Sequence, residues 1–356
     1  TSPTVKKAML HDLGSRETEF VEVVRGVQDR LLAMAGTSRE HGFEAVLLAG
    51  SGTSGVEAVI SSVVPRHGKL LVLVNGAYGK RIAKIAAVHR VPAVILENPT
   101  REPLRATAVE QKLAEDGEIT HVALVHCETT TGILNPAAEI GRVVRAAGRD
   151  TVLDAMSSFG GIRCDVSELS CDYLISSANK CLGGVPGFSF VLCRRDKLLA
   201  SAGIPRTLSL DLLAQWQQLE KNGQFRFTPP THAILAFAQA LRELEEEGGV
   251  EARARRFREN MSCLVKGMRN MGFREYLPEK LQSAIITTFY FPRDEHFHFE
   301  EFHSRIKERG CVIYPGKVPG EECFRIGTIG DLYPEDMQRL LTAIQETLDE
   351  MQITQV

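Results

Sequence analysis

The first two thirds of the chain alternate short apolar runs with amphipathic segments. Strands are predicted at 45–49, 70–74, 93–96, 121–125, 151–154, 172–176 and 188–193, and helices at 54–64, 77–89, 105–116 and 136–147. Apolar runs of this kind are typical of strands that are buried on both faces of a parallel sheet. The alternation therefore predicts an α/β fold with a mostly parallel sheet covered by helices on both faces.

The pattern changes after Pro229-Pro230, where longer charged helical segments begin. Helices are predicted at about 232–247, 250–271, 299–309 and 334–351, and strands near 284–290, 311–314 and 323–327. The Gly248-Gly249 pair is the best linker candidate, because two adjacent glycines interrupt a helical pattern. We therefore expect a large domain over 1–248 and a smaller α+β domain over 249–356, with the first residues of the chain as a segment that can pack with the small domain.

Composition narrows the choice of function. The chain has 356 residues, 44% of them hydrophobic and 24% charged, with a net charge of -3. It has no basic run, so nucleic acid is an unexpected partner, and no apolar stretch near the roughly 18 residues that cross a membrane. The eight cysteines have no CxxC spacing, which predicts reduced thiols in a cytoplasmic protein. No metal site is predicted. The chain begins at Thr1, so we expect a preceding stretch, and any targeting signal in it, to be missing.

Two polar residues follow neighbouring apolar runs and carry the most specific chemistry. Asp154 ends the run 151–154, and Lys180 follows the run 172–176. Ligand sites of open α/β sheets lie at the carboxyl ends of the strands. An acid and an amine at that edge suit pyridoxal 5'-phosphate, whose aldehyde condenses with lysine and whose ring nitrogen needs a carboxylate partner. The alternative for either residue taken alone is a strand-end acid or a solvated lysine.

A glycine-rich loop, Gly50-Ser51-Gly52-Thr53-Ser54-Gly55, follows the first strand and opens a helix. It matches the G-x-G-x-x-G pattern, and its backbone N–H groups at a helix start favour a phosphate group. The next strand ends in Asn75-Gly76 and lacks the acid that would hold a dinucleotide ribose. A phosphate cradle is the favoured interpretation, followed by a dinucleotide loop and a plain tight turn.

A third strand end, after 121–125, carries the segment His126-Cys127-Glu128-Thr129-Thr130-Thr131-Gly132. Its hydroxyl groups are suited to bonding a phenolic oxygen or orienting the lysine at the same sheet edge. For Thr129 and Thr131, capping of the helix after Pro136 is an equally good interpretation.

Motifs along the whole chain resemble the class V aminotransferases of fold type I. The resemblance rests on the segments 75–79, 126–132 with Asn135-Pro136, 154–161 and 176–180. The further segments 184–188, 209–212, 230–232, 313–317 and 324–327 are similar to those members that transfer the amino group of 2-aminoethylphosphonate to pyruvate. The resemblance implies a ping-pong transamination that yields phosphonoacetaldehyde and L-alanine.

The resemblance also implies the roles of cofactor residues. Lys180 is expected to bond the aldehyde of pyridoxal 5'-phosphate and Asp154 to contact its ring nitrogen. The expected phosphate ligands are Ser51, Gly52 and Thr53, with further bonds from Thr130 and Ser177. Relatives have Trp or Met at the position of Ile82, which can pack on the cofactor but offers no aromatic stacking.

Two residues of the later segments receive roles by the same resemblance. Thr231 is expected to reach the phosphate bound by the neighbouring subunit of a homodimer, although a Thr after two prolines is also a good helix N-cap. Arg325 is expected to bind the anionic end of the substrate. Its alternative is a surface ion pair, for which a position between Phe324 and Ile326 is awkward.

Two alternative functions remain open at the level of the sequence. Another class V transaminase, of the alanine–glyoxylate or serine–pyruvate type, would share every cofactor residue and differ in the substrate pocket. An NAD-dependent oxidoreductase would use Gly50 to Gly55 as a dinucleotide loop. Relatives also begin with a Gly-Pro-rich arm near the active-site entrance, which is absent from this sequence, so we expect part of the pocket to be missing.

Overall fold

A seven-stranded sheet forms the centre of the computed structural model, which describes residues 1–356. The strands are β1 Phe43–Ala49, β2 Lys69–Val74, β3 Ala93–Glu97, β4 Ile119–Val125, β5 Cys127–Glu128, β6 Ile133–Leu134, β7 Asp150–Asp154, β8 Tyr173–Ser177 and β9 Phe188–Arg194. The central order is β1-β9-β8-β7-β4-β2-β3, while β5 and β6 form a separate hairpin. Only β9 runs antiparallel to its neighbours. The predicted mostly parallel sheet is confirmed.

Helices cover this sheet and bury its apolar residues in one large core. They are α1 Pro3–Lys7, α2 Thr18–Met34, α3 Gly52–Val63, α4 Ala77–Val88, α5 Ala106–Glu115, α6 Ala137–Ala146, α7 Arg195–Ala200, α8 Leu212–Asn222 and α9 Thr231–Glu247. The predicted helices at 54–64, 77–89, 105–116 and 136–147 correspond to α3, α4, α5 and α6, and that at 232–247 corresponds to α9, whereas α1, α2, α7 and α8 were not predicted. No helix has the combination of length and apolar composition that is needed to cross a membrane.

A second sheet lies in the last part of the chain. Its strands are β10 Ile286–Tyr290, β11 Tyr314–Pro315 and β12 Cys323–Gly327, in the antiparallel order β10-β12-β11, with helices α10 Gly249–Asn270, α11 Phe299–Glu308 and α12 Pro334–Glu350. Phe289, Phe302 and Phe324 are buried in an apolar cluster separate from that of the large sheet. The strand predicted at 311–314 was wrong for its first three residues, because only Tyr314–Pro315 pairs with β12.

The predicted linker is a sharp junction between two helices. Gly248 and Gly249 have φ values of 104° and 78°, in the left-handed region that favours glycine, and they separate α9 from α10. The first residues of the chain lie against α9: Ser2 Oγ donates a hydrogen bond to Glu243 over 2.9 Å. The domain boundary itself stays a prediction.

The two sheets are joined through the loop that follows β5. The N–H of Ser283 and the hydroxyl of Thr288 donate hydrogen bonds to the carbonyl oxygens of Gly132 and Thr131, each over 2.9 Å. Gly132 has a φ of 98°, and a Cβ atom on it would lie 2.2 Å from the Ile286 carbonyl oxygen. A side chain is therefore excluded where the small sheet meets the edge of the large one.

Candidate active site

The carboxyl ends of the parallel strands surround a cavity of about 240 Å³. Most of the cofactor residues predicted from the sequence line it: Ser51, Gly52, Thr53, Ile82, Asp154, Ser177 and Lys180. Residues that lie far apart in the chain therefore meet at one sheet edge, as the strand pattern predicts.

Asp154 is the last residue of β7 and lies buried between β4 and β8. One carboxylate oxygen accepts a hydrogen bond from the Met156 N–H over 3.0 Å, and no cation forms an ion pair with it. Burial raises the pKa of Asp154 to about 6, with the Met156 N–H acting in the opposite direction. A buried carboxylate with one hydrogen bond and no ion pair is suited to bind a cationic group inside the cavity, because such a group would stabilise its charge.

Lys180 occupies the turn after β8, three positions beyond Ser177. The turn is closed by hydrogen bonds from the Gly183 N–H to the Lys180 carbonyl and from the Gly184 N–H to the Ala178 carbonyl, of 3.0 and 2.9 Å. The side chain is half-buried, lines the cavity and has no hydrogen-bond or salt-bridge partner. The sheet edge therefore presents a lysine amine that no protein carboxylate engages.

The start of α3 supplies the part of the cavity that favours an anion. The N–H groups of Gly52 and Thr53 lie in the first turn of α3, where they lack helical acceptors and face the positive end of the helix dipole. Ser51 occupies the N-cap position, but its side chain does not cap the helix. A Cβ atom at position 52 would lie 1.7 Å from the Met156 sulfur, so only glycine allows this close approach. These features support the phosphate cradle proposed for the loop.

Two further hydroxyl residues differ in what they do. The Ser177 hydroxyl is buried at the cavity and has no hydrogen-bond partner. The Thr130 hydroxyl is engaged elsewhere: it accepts from the Ala77 N–H over 2.8 Å and donates to Glu128 over 2.6 Å. The structure therefore brings Ser177 to the cavity and uses Thr130 at the start of α4, and a bond from Thr130 to the cofactor stays a prediction.

Glu128 is a site residue to which the sequence analysis gave no role. Its buried carboxylate accepts hydrogen bonds from the N–H groups of Tyr78, Gly79 and Thr130, over 3.1, 3.2 and 3.1 Å. Burial raises its pKa, and the hydrogen bonds oppose that shift. Glu128 thus fixes the start of α4. The alternative role for Thr129 and Thr131, capping of α6, does not occur.

Thr231 and Arg325 lie outside the lining of the cavity. Thr231 is the first residue of α9, and its side chain does not cap the helix because Pro230 holds the N-cap position. Arg325 is buried on β12 and donates to the carbonyl oxygens of Pro315 and Thr129 over 3.0 and 2.7 Å. It has no carboxylate partner, which removes the ion-pair alternative.

Tyr78 connects the cavity with Arg325 and was missed from the sequence. Its ring lines the cavity beside Ile82, and the guanidinium of Arg81 lies 4.9 Å from the ring centroid. Burial raises the pKa of the phenol, but Thr129, Lys317 and the charge of Lys180 together lower it by more, so the net shift is downward. Burial lowers the pKa of Arg325, and Tyr78 opposes that shift. The sequence signal was an aromatic residue in the first turn after Asn75-Gly76.

Comparison with known proteins decides the family. The sequence model described as "Aminotransferase class-V" matches residues 5–326. The chain belongs to the class V aminotransferases. This aminotransferase is 50% identical to the 2-aminoethylphosphonate–pyruvate transaminase of Bacillus cytotoxicus over 97% of its own length and 94% of that protein. It is also 50% identical to the transaminase of the same name from Vibrio cholerae, over 98% of its length and 95% of that protein.

Solved structures agree on the fold of this aminotransferase. Pyridoxamine–pyruvate aminotransferase from Mesorhizobium loti matches with a TM-score of 0.89 and 24% identity, covering 100% of this chain and 91% of that one. Ureidoglycine–glyoxylate aminotransferase from Bacillus subtilis matches with a TM-score of 0.90 and 22% identity, covering 100% and 92%. The predicted fold type I is confirmed.

The residues of the cavity fit pyridoxal 5'-phosphate, the cofactor on which class V aminotransferases depend. The buried acid Asp154, which has no ion-pair partner, the free amine of Lys180 and the unpartnered hydroxyl of Ser177 meet in one cavity. The open helix start at Gly52 adds a place for the phosphate group. The dinucleotide alternative is not favoured, because it gives neither the acid nor the lysine a role.

Proposed function

We propose that this enzyme transfers the amino group of 2-aminoethylphosphonate to pyruvate, forming phosphonoacetaldehyde and L-alanine in a ping-pong sequence. The observation that carries the proposal is Arg325, a buried cation without a carboxylate partner, which donates to the carbonyl oxygens of Pro315 and Thr129 and whose pKa is lowered by burial and raised in part by the nearby Tyr78 of the cavity lining. A planar guanidinium suits phosphonate and carboxylate oxygens alike. The names of the relatives that are 50% identical support the same pair of substrates.

We assign the cofactor roles to residues of the cavity. Pyridoxal 5'-phosphate, when bound, supplies an aldehyde that carries the amino group and a ring that accepts electrons. Asp154 would pair with the ring nitrogen, Ile82 would pack on the ring, and Ser177 would donate a hydrogen bond. Ser51, Gly52 and Thr53 would hold the phosphate group, with Thr130 assigned by resemblance alone.

Lys180 has two tasks in this proposal. Its Nζ atom would hold the aldehyde of the cofactor, and as a free amine it would remove the proton from the substrate carbon next to nitrogen. The same amine would return a proton in the second half of the reaction, when pyruvate receives the amino group. The lack of any ion-pair partner leaves the Lys180 side chain available for both tasks.

We further propose that the active unit is a cytoplasmic homodimer in which Thr231 contacts the phosphate bound by the other subunit. Support comes from its position at the start of α9, next to Pro230, whose side chain lies near Gly187 of the cavity lining. We also propose a domain boundary at Gly248-Gly249, supported by the left-handed φ values there and by the separate apolar clusters.

The substrate assignment is tested by measuring alanine formation from pyruvate with a panel of amines under single-donor conditions. We expect 2-aminoethylphosphonate to be the best donor, with a kcat/KM far above those of serine and other amino acids. Glyoxylate replaces pyruvate in a parallel series. Preference for alanine with glyoxylate, or for serine with pyruvate, would identify a different transaminase of the same family.

Mixing inactive variants tests the shared site. Lys180→Ala and Thr231→Ala chains, refolded together, should regain part of the activity, because a mixed dimer contains one site with both groups. Two copies of a single variant, treated in the same way, serve as the control. Full activity of a monomer at sedimentation equilibrium would contradict the proposal.

A further inference from the structure

A lysine from the small-sheet region reaches the same phenol as the predicted substrate arginine. Lys317 lies between β11 and β12, and its Nζ atom donates a hydrogen bond to the Tyr78 hydroxyl over 3.3 Å. The same atom is 5.1 Å from the centroid of the Tyr78 ring. No carboxylate lies within salt-bridge distance of Lys317 anywhere in the chain. The contact therefore joins two regions by a cation that lacks an acidic partner.

Three cations surround Tyr78, and no protein carboxylate is paired with any of them. Arg81 lies over the ring at 4.9 Å and Lys317 donates to the hydroxyl, while Arg325 is close enough for the phenol to raise its pKa against the effect of burial. The pKa of Tyr78 is lowered despite its burial, in agreement with an excess of positive charge at this point. Such an excess at the rim of a cavity attracts anions.

Arg325 alone is a limited partner for a doubly charged group. Its Nε and Nη1 atoms already donate to the Pro315 and Thr129 carbonyl oxygens, which leaves Nη2 and the remaining N–H of Nη1 for a ligand. A phosphonate, like a phosphate monoester, carries close to two negative charges above neutral pH, whereas a carboxylate carries one. A second cation beside Arg325 would therefore favour the phosphonate more than the carboxylate.

We propose that Lys317 is the second cation of the substrate-anion site and that it selects the amino donor by charge. The inference rests on the proposed function and deepens it. Lys317 binds a phosphonate oxygen next to Arg325, and Tyr78 holds the ammonium group in place for that contact. The carboxylate of pyruvate depends on Arg325 and gains little from Lys317.

A matched pair of ligands separates charge from shape. The head groups of ethylphosphonate and ethanesulfonate have the same tetrahedral shape, but at mildly alkaline pH the first is doubly and the second singly charged. Both are titrated into the holoenzyme as competitive ligands, through the visible absorbance of the bound cofactor and through inhibition of turnover. The variants are Lys317→Gln and Lys317→Arg, with Lys80→Gln as control, because Lys80 is an exposed lysine on α4 that pairs with Glu97 over 2.8 Å.

We expect Lys317→Gln to weaken the binding of ethylphosphonate about tenfold and that of ethanesulfonate about twofold or less, since the exposed Lys317 supplies one charge–charge contact that is then lost. The kcat/KM for 2-aminoethylphosphonate should fall through KM, with kcat and the KM for pyruvate nearly unchanged. Lys317→Arg should retain the preference for the double charge, and Lys80→Gln should behave as the wild type.

The remaining outcomes overturn the inference. Equal weakening of both ligands would make Lys317 a support for Tyr78 only, and unchanged binding would remove it from the site. The wild type separates the inference from the proposed function. A wild-type enzyme that turns over 2-aminoethylphosphonate but binds both ligands equally well overturns the inference alone. A wild-type enzyme that does not turn over 2-aminoethylphosphonate overturns the proposed function as well.

Discussion

The cofactor end and the substrate end of the active site are built in different ways. Asp154 and Ser177 end two adjacent parallel strands in the interior of the large sheet. Tyr78 and Lys317, by contrast, are 239 residues apart in the chain and come from α4 and from the small-sheet region. The first arrangement follows from strand pairing, whereas the second depends on how two regions are held together.

This difference has consequences for what each end can tolerate. Backbone pairing fixes the cofactor end, so a substitution there should alter the chemistry of every substrate alike. The substrate end is fixed by a few side-chain contacts, including Thr288 with Thr131 and Arg325 with Thr129. Substitutions there should change anion binding or the stability of the small sheet and leave cofactor attachment intact.

The largest effect is expected at Lys180. Lys180→Ala removes both the covalent attachment and the base, and should lower kcat by about 10⁴-fold or more with every amine. Lys84→Ala, a change at an exposed lysine of α4, is the control and should leave kcat unchanged. Borohydride reduction of the wild type followed by peptide mapping should place the pyridoxyl group on Lys180. A label on any other lysine would show that the cofactor end has been assigned to the wrong residue.

Arg325 should give the next largest effect and act only at the substrate end. Loss of a charge-assisted contact to a desolvated anion costs about 2–5 kcal/mol, so Arg325→Ala should lower kcat/KM by about 30-fold to several thousand-fold. Both 2-aminoethylphosphonate and pyruvate should be affected, because one arginine serves both half-reactions. Arg325→Lys should restore part of the activity, since an ammonium group cannot bind in two-pronged fashion.

The readout that separates binding from structure is the visible spectrum of the attached cofactor. It should be unchanged in Arg325→Ala, although the melting temperature should fall below that of Arg274→Ala, a change at an exposed arginine that lies over the Tyr290 ring at 5.6 Å, because two hydrogen bonds to carbonyl oxygens are lost. Arg325 also donates to two carbonyl oxygens. If the variant loses its cofactor or unfolds, the main role of Arg325 is structural and depends on those two hydrogen bonds. Wild-type kinetics with both substrates would move the anion site elsewhere.

Asp154 at the cofactor end should lower the stability of the apoenzyme while it favours cofactor binding. Its folded-state pKa of about 6 lies above that of an unfolded aspartate, so the apoenzyme loses stability as pH rises from about 4 through 6. Asp154→Asn removes that penalty and should stabilise the apoenzyme at pH 7 by roughly 2–3 kcal/mol. At pH 4, where the wild-type acid is protonated, the two proteins should be equally stable.

The cofactor should reverse this order. A neutral amide cannot match the charge of a protonated ring nitrogen, so the variant should bind pyridoxal 5'-phosphate more weakly and turn over slowly. Urea unfolding of the apoproteins at several pH values, together with cofactor titration, measures both effects. An Asp154→Asn apoenzyme that is less stable than the wild type at pH 7 would show that the carboxylate is structural.

The same contrast explains what the sequence could predict. Apolar runs mark buried strands, and polar residues at their carboxyl ends are recognisable without tertiary information, which is how Asp154 and Lys180 were found. The contact of Lys317 with Tyr78 leaves no such pattern, because it depends on the packing of the small sheet against the loop after β5. The hydrogen-bond partner of a hydroxyl group was equally hard to predict. The Thr130 hydroxyl accepts from the Ala77 N–H at the start of α4, a contact that the sequence does not reveal.

The smallest effect is expected where the small sheet is fastened. Thr288→Val removes the hydrogen bond to the Thr131 carbonyl and leaves that buried oxygen unpaired, which should cost about 1–2 kcal/mol of unfolding free energy. The neighbouring Thr287→Val is a matched control, because the buried Thr287 hydroxyl has no hydrogen-bond partner, so its loss should be neutral or stabilising. Denaturant titration of the two holoenzymes measures the difference.

Thr288 pairs with Arg325 across the strands, so a shift of β12 should also lower kcat/KM a few-fold for both substrates while cofactor attachment stays intact. Equal stability of the two variants would mean that the small sheet is held mainly by its apolar contacts, and that the substrate end is as firmly fixed as the cofactor end.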